Sequence, residues 1–142
     1  MMQLNAEKIM TIFVTCAPSL DVGASTEGVL RVIPIVGGDF EGQNIKGTVV
    51  SGGADWNTSI SDTVSHVFAK YLLKTDDGYY IAIENAGIID NTNTTAKIKT
   101  TPKFIVNKDS KYSWLNTGVY VGSLEGAKDP KYLVEIHIYR ML

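Results

Sequence analysis

The sequence predicts an all-β fold, a closed antiparallel β-barrel of about eight to ten strands with at most one or two short helical turns. Apolar residues recur at every second position over most of the chain, which is the period of a strand and not of a helix. Turn-forming residues separate these runs at short intervals, as they do in sandwiches and barrels. Glycines also lie inside several runs, where a barrel strand has to bend.

The first part of the chain is predicted to hold three strands. Pro34 lies in the second of them, and because proline cannot donate to a sheet ladder, that segment is expected to be an edge, a bulge or a strand start. The strands are residues 8–16, 29–36 and 40–50, separated by a long turn over 17–28 and a tight turn over 37–39, and followed by a break over 51–55.

The clearest local signal is a hairpin between residues 64–75 and 79–89, joined by Asp76-Asp77-Gly78. An Asp-Gly pair between two alternating runs predicts a hairpin strongly, because glycine accepts the positive φ that the turn requires. The two adjacent carboxylates are therefore interpreted as turn residues and not as an acid–base pair.

The remaining chain is predicted to hold three more strands. The last one presents Leu133, Glu135, His137 and Tyr139 on one face, and this mixture of aromatic and ionisable groups is typical of a lumen or a subunit contact. It favours a homo-oligomer. The predicted elements are a polar loop over 88–95, strands over 97–106, 117–123 and 131–141, and one helical turn within 108–115.

Composition narrows the function classes. The 142 residues form one predicted domain, 1–142, with a net charge of −2 and no block of Lys or Arg, so nucleic-acid binding is not expected. No apolar run approaches the ~20 residues that span a bilayer. The start of the chain does not resemble a signal peptide, and the single Cys16 cannot form an intrachain disulfide, so a cytoplasmic location is predicted. His66 and His137 lack metal-ligand spacing, and neither a metal site nor a cofactor is expected.

Several separated motifs carry a family resemblance. In their order and spacing they resemble the bacterial and fungal family named domain of unknown function 3237, from about Gly28 to the C-terminus. The resemblance implies a lipocalin-like barrel grouped with the calycins, and it implies no settled activity. The motifs are RVIPIVGG at 31–38, GTVVSGGADW at 47–56, YLLKTDDG at 71–78, NAG at 85–87, TPKF at 101–104 and YSWLN at 112–116.

Arg31, Asp55 and Trp56 are the first candidate ligand-binding residues, and Asp55 is also the candidate catalytic residue. Asp55 and Trp56 could lie at a barrel mouth, the carboxylate aimed at a ligand and the indole as a stacking wall. Alternatively, Asp55 caps a turn and Trp56 plugs the barrel. Arg31, in an otherwise apolar strand, is either a structural ion-pair partner or outward-facing residue, or an anchor for an anionic ligand.

Asn85, Tyr71 and Trp114 complete the candidate ligand-binding set. Asn85 shares a strand face with Tyr79, Ile81 and Ile83, so it is either an orienting group in an apolar cavity or a satisfied core asparagine. Tyr71 belongs either to an aromatic cavity or to an ordinary aromatic core. Trp114 could cap one barrel end or join a subunit interface.

Three functions follow from these features. The leading hypothesis is a barrel that binds a small apolar or aromatic molecule, in one version carrying an anionic group met by Arg31. The second is a small isomerase- or cyclase-type enzyme that uses Asp55 as a base beside Arg31. The third is a structural homo-oligomeric module.

Overall fold

In a computed structural model, which describes residues 1–95 and 98–142, the chain is almost entirely β-structure. The described residues hold nine strands and one 3₁₀ turn, Ser113–Asn116. The strands are β1 (Ala6–Cys16), β2 (Leu20–Ser25), β3 (Gly28–Glu41), β4 (Lys46–Ser59), β5 (Val64–Thr75), β6 (Tyr80–Asp90), β7 (Ile98–Val106), β8 (Tyr120–Gly126) and β9 (Val134–Met141).

Eight of these strands close into an antiparallel barrel. The order is β1-β9-β8-β7-β6-β5-β4-β3, and β1 pairs with β3 to complete the ring. β2 lies outside the ring and pairs with the beginning of β3. Along its 14 residues, β3 therefore pairs first with β2 and then with β1, as well as with β4. The predicted fold class, a closed antiparallel barrel with little helix, is confirmed.

The tight turn predicted over 37–39 is wrong, because these residues lie inside β3. Gly38 has φ +137°, and a Cβ there would lie 1.9 Å from the carbonyl oxygen of Phe13 on β1. The pairing of β3 with β4 shifts register between Ile35 and Asp39. The glycine pair is therefore a bulge at which β3 bends to reach β1, and the turn itself lies at residues 42–45, between β3 and β4.

The break predicted over 51–55 is also wrong, and so is the strand predicted over 40–50, which contains that turn. β4 runs without interruption through Gly52 and Gly53, although its pairing with β5 shifts register between Val50 and Ala54. Gly52 has φ +118°, and a Cβ on Gly53 would lie 2.4 Å from the Cβ of Tyr71. A bulge, and not a turn, explains both glycines.

Other boundaries differ less. The long turn predicted over 17–28 contains β2, and β6 extends to Asp90, into the predicted polar loop. The Asp-Gly hairpin joins β5 and β6 in full register from Val64 opposite Asp90 to Lys74 opposite Tyr80. The predicted helical turn is the 3₁₀ turn before β8. Lys97, the first residue of one predicted strand, lies outside the described residues.

The two ends of the barrel differ. The closed end is the one with the turn at residues 42–45 and the 3₁₀ turn, where Phe40, Leu73, Ile81, Leu115 and Ile138 are each at most 1% exposed. The open end is the opposite one, where β1 and β4 finish and β3 begins. Within the described residues, no helix combines the length and apolar character needed to cross a membrane.

Candidate functional site

A cavity of about 210 Å³ occupies the open half of the barrel interior. Its walls are mostly aliphatic side chains from β1, β3, β5, β8 and β9, such as Val14, Ile35, Val67 and Ile136. Four side chains with charged or hydrogen-bonding groups join them: Arg31, Asp55, Asn57 and Tyr71. A partly enclosed, mostly apolar space with a few convergent polar groups has the character of a small-molecule site.

Arg31 and Asp55 reach this cavity from neighbouring strands. Arg31 on β3 lies opposite Asn57 on β4, and the next inward pair is Ile33 opposite Asp55. The side chain of Arg31 lies at the exposed rim, and among the described residues its guanidinium has no hydrogen-bond or ion-pair partner. The two charges are therefore close enough to influence each other without a direct salt bridge.

One oxygen of the Asp55 carboxyl accepts a hydrogen bond, and the other does not. Its Oδ1 accepts a hydrogen bond of 3.2 Å from the backbone N–H of Phe68, while Oδ2 has no partner among the described residues. Burial raises the pKa of Asp55 above its usual value, although the Phe68 hydrogen bond and the charge of Arg31 act in the opposite direction. A carboxyl with a raised pKa and a free oxygen can accept a hydrogen bond or a proton from a ligand.

Asn57 and Tyr71 supply buried polar atoms without partners. They are 3% and 4% exposed, and neither Asn57 Oδ1 nor Tyr71 Oη has a hydrogen bond. Burial raises the pKa of the Tyr71 phenol, and Cys16 and Asp55 add to this effect, so the hydroxyl keeps its proton. Native proteins rarely leave buried polar atoms unpaired, and both of these atoms belong to cavity-lining residues.

Asn85 points inward from β6, on the face that it shares with Ile81 and Ile83. Its side chain is 3% exposed, and those of Ile81 and Ile83 are fully buried. Its Oδ1 also lacks a hydrogen-bond partner. Asp55 and Asn85 flank Ala69 on the intervening strand. Asn85 does not itself line the cavity, so its role as an orienting group stays a prediction.

Cys16 is a half-buried thiol at the cavity wall. Burial raises its pKa, and the nearby carboxylate of Asp55 raises it further. The thiol therefore stays protonated near neutral pH and behaves as a small apolar group.

Trp56 does not lie with these residues. Its side chain is 52% exposed and lines an open depression of about 1000 Å³ on the outer face of the barrel, together with His66, Phe68 and Ile88. Adjacent residues of a strand point to opposite faces of the sheet, so Asp55 and Trp56 cannot both face the lumen. The outer depression is larger than the cavity, but it is also more open to solvent.

Trp114 lies at the closed end. It packs partly buried against the core, beside Ile9, Ile45 and Arg140. It therefore caps one end of the barrel, which is one of its two predicted roles, and it lies at the opposite end from Arg31 and Asp55.

The structure also brings together a group that the sequence did not indicate. On the outer face of β8 and β9, His137 Nε2 lies 3.0 Å from Glu125 Oε1 and 3.2 Å from Glu135 Oε1, and Thr11 Oγ1 lies 3.3 Å from Nδ1. Such donors can ligate a metal. The Glu-x-His spacing on a strand was the available signal, since it places both side chains on one face. The expectation of no metal stays a prediction.

Asp76 and Asp77 lie in the β5–β6 turn, as interpreted from the sequence. Tyr112 donates a hydrogen bond of 2.6 Å to Asp77 Oδ1, and this bond is the main reason why the pKa of Asp77 falls to about 2. Asp77 is therefore a fixed anion that ties the turn to the segment before β8.

Known proteins resemble this chain along its whole length. The family model described as protein of unknown function (DUF3237) matches residues 4–141. The conserved protein of unknown function RPA1785 from Rhodopseudomonas palustris, a UPF0311 protein, is 29% identical, with a TM-score of 0.87 and 100% of each chain covered. A β-barrel-like protein from Acinetobacter baumannii is 30% identical, with a TM-score of 0.84 over 99% of this chain and 97% of the other.

A more distant structure shares the fold alone. An enzyme from Penicillium herquei is 21% identical to this chain, with a TM-score of 0.77 over 99% of this chain and 96% of the other. At that identity the likeness extends to the barrel and not to its chemistry.

Proposed function

Because the chain belongs to the family of proteins of unknown function DUF3237, which brings no activity with it, we propose a function from the barrel interior alone. The protein binds a small apolar or aromatic molecule in the cavity at the open end, with an anionic group of the ligand held by Arg31. The observation that carries this proposal is the half-filled interior. One end is densely packed, while the other holds a partly open cavity of about 210 Å³.

The size of the cavity supports a ligand of about one substituted aromatic ring. A dry apolar cavity of about 150 Å³ is known to hold benzene, and this one is somewhat larger. Aliphatic walls favour the ring, because burial of apolar surface contributes about 25 cal/mol per Å². Arg31 at the rim is a bidentate donor without a protein partner among the described residues, which suits a carboxylate.

The test compares benzoate with its uncharged analogue benzamide by calorimetry or ligand-observed NMR. We expect Arg31→Gln to weaken benzoate binding about tenfold, the scale of one charge-assisted hydrogen bond at a partly exposed site, and to leave benzamide unchanged. The matched control is Arg140→Gln, because Arg140 lies at the closed end beside Trp114. Absence of binding at millimolar benzoate, or an equal loss in the control, would contradict the proposal.

A second candidate function is supported by the free oxygen of Asp55. A carboxylate that is only partly engaged by a backbone N–H and has a raised pKa is suited to accept a proton from a bound carbon acid. In D₂O, we expect the protein to speed exchange of the methyl protons of 4-acetylbenzoate, measured by NMR, and Asp55→Asn to abolish this. Exchange at the buffer rate with wild-type protein rules the enzyme out and leaves the binding function standing.

The homo-oligomer and the cytoplasmic location remain predictions. Exposed apolar side chains on the outer face, among them Trp56 and Ile88, are compatible with self-association. Sedimentation at micromolar concentration measures it directly.

A further inference from the structure

We propose that the cavity ligand is a hydroxylated aromatic acid, whose hydroxyl group bonds to Tyr71 and Asn57 while its carboxylate meets Arg31. This inference rests on the proposed function, since it names the class of molecule that occupies the same cavity.

The argument begins with the two unpartnered atoms. Tyr71 Oη and Asn57 Oδ1 are buried and make no hydrogen bond, while the residues that carry them line the cavity. Leaving such an atom unpaired costs more than a bond to it contributes, because its hydration is lost without replacement. A purely apolar ligand would leave both atoms in that state, whereas a hydroxyl group would satisfy them.

The chemistry of the lining selects a hydrogen-bond donor. Asn57 Oδ1 can only accept, and so can the free Oδ2 of Asp55 when it is ionised. The Tyr71 phenol keeps its own proton, and it can both donate to a ligand oxygen and accept from a ligand hydroxyl. A ligand hydroxyl can donate to each of these acceptors, whereas a ligand carbonyl can satisfy neither Asn57 Oδ1 nor Asp55 Oδ2.

The positions of the polar residues give the ligand its orientation. Gly53, which lies beside Tyr71, is four residues along β4 from Asn57, and Asn57 lies opposite Arg31. That separation is about 13 Å of extended strand, which the Tyr71 side chain shortens from the inner end. Arg31 lies at the exposed rim, so the hydroxyl end of the ring is placed between Tyr71 and Asn57 and the carboxylate end toward Arg31.

The experiment compares 4-hydroxybenzoate with 4-methylbenzoate, which are nearly equal in size and share the carboxylate. We expect the wild-type protein to prefer the hydroxyl compound about 5- to 10-fold, as one buried hydrogen bond provides. Tyr71→Phe should remove most of this preference. It should also raise the Tm of the ligand-free protein by about 2–4 °C, because it deletes an unpaired buried hydroxyl. Asn57→Leu, of similar volume, should reduce the same preference.

The control is Tyr120→Phe. Tyr120 is equally buried, but its hydroxyl donates to the carbonyl oxygens of Trp114 and Thr117, each at 3.0 Å, at the closed end. Loss of the Tyr120 hydroxyl should lower the Tm of the protein and leave the preference for 4-hydroxybenzoate over 4-methylbenzoate intact. If both acids bind equally and Tyr71→Phe changes neither affinity, the hydroxyl inference is overturned while the binding function stands. If neither acid binds at millimolar concentration, the binding function is overturned, and this inference with it.

Discussion

The Asp55 carboxylate is a charge that the fold holds at a cost to its stability. It lies on an inward position of β4, where it loses water, and it recovers only one backbone hydrogen bond and a distant attraction from Arg31. Burial has a larger effect on the pKa of Asp55 than these two interactions, so the pKa is raised. The carboxylate therefore destabilises the ligand-free protein near neutral pH, which a group retained only for stability would not do.

Asp55→Asn should accordingly stabilise the ligand-free protein at neutral pH. Below the ordinary value of 3.8, the carboxyl is protonated in both the folded and the unfolded state. Between 3.8 and the raised native pKa, only the unfolded state has lost its proton, so the wild-type free energy of unfolding falls as pH rises. The free energy of unfolding of the Asp55→Asn variant should not show this decrease as pH rises.

Urea unfolding between pH 3.5 and 7.5 measures the difference. Asp62→Asn, at an exposed turn position, should follow the wild-type curve. A variant that is less stable than the wild type at pH 7 would mean that the fold needs the Asp55 charge.

At the scale of a strand, the bulge in β4 decides where the site residues point. Gly52 and Gly53 let β4 shift its register against β5, after which Asp55 and Asn57 face inward beside Val67 and Tyr71. Gly53 is a position of close approach, since its backbone packs directly on Tyr71. The glycine thus positions both the strand and the phenol.

Gly53→Ala should destabilise the protein by about 1–3 kcal/mol, the usual cost of inserting a methyl group into a packed site. The new Cβ would lie 2.4 Å from the Tyr71 Cβ and 2.5 Å from the Lys70 carbonyl oxygen, so β4 and β5 have to separate. Gly126→Ala is the matched control, because nothing lies within 4 Å of a Cβ there, and it should change stability by less than about 0.5 kcal/mol. Equal unfolding midpoints in urea for the two variants would disprove the packing argument.

At the scale of the whole molecule, the barrel has one filled half and one hollow half. The segment before β8 closes one end, where Tyr112 bonds to the β5–β6 turn and Leu115 is 1% exposed. The opposite end holds the cavity and the unpaired polar atoms of Asn57 and Tyr71. If the proposed binding is correct, stability depends mainly on the packed half and ligand affinity on the hollow half.

Alternation was sufficient to predict much of this molecule. It placed Ile81, Ile83 and Asn85 on one face, which the structure shows to be the inward one, and the Asp-Gly signal located the β5–β6 hairpin. Glycine pairs were less informative, because the same residues permit a tight turn and a bulge. That ambiguity produced the wrong turn at 37–39 and the wrong break at 51–55. The second error let Asp55 and Trp56 share a site, although neighbours on a strand face opposite ways.

The sequence by itself determined the class of fold, the family resemblance and the candidate residues Arg31, Asp55, Tyr71 and Asn85, since these depend on local periodicity and residue type. Only the tertiary structure decided which end is hollow, that Trp56 lies outside and Trp114 at the closed end, and that Asn57 joins the cavity. Those facts depend on how eight strands curl and shift against one another. That register is set by contacts between residues far apart in the chain, such as Gly38 with Phe13, which no local pattern specifies.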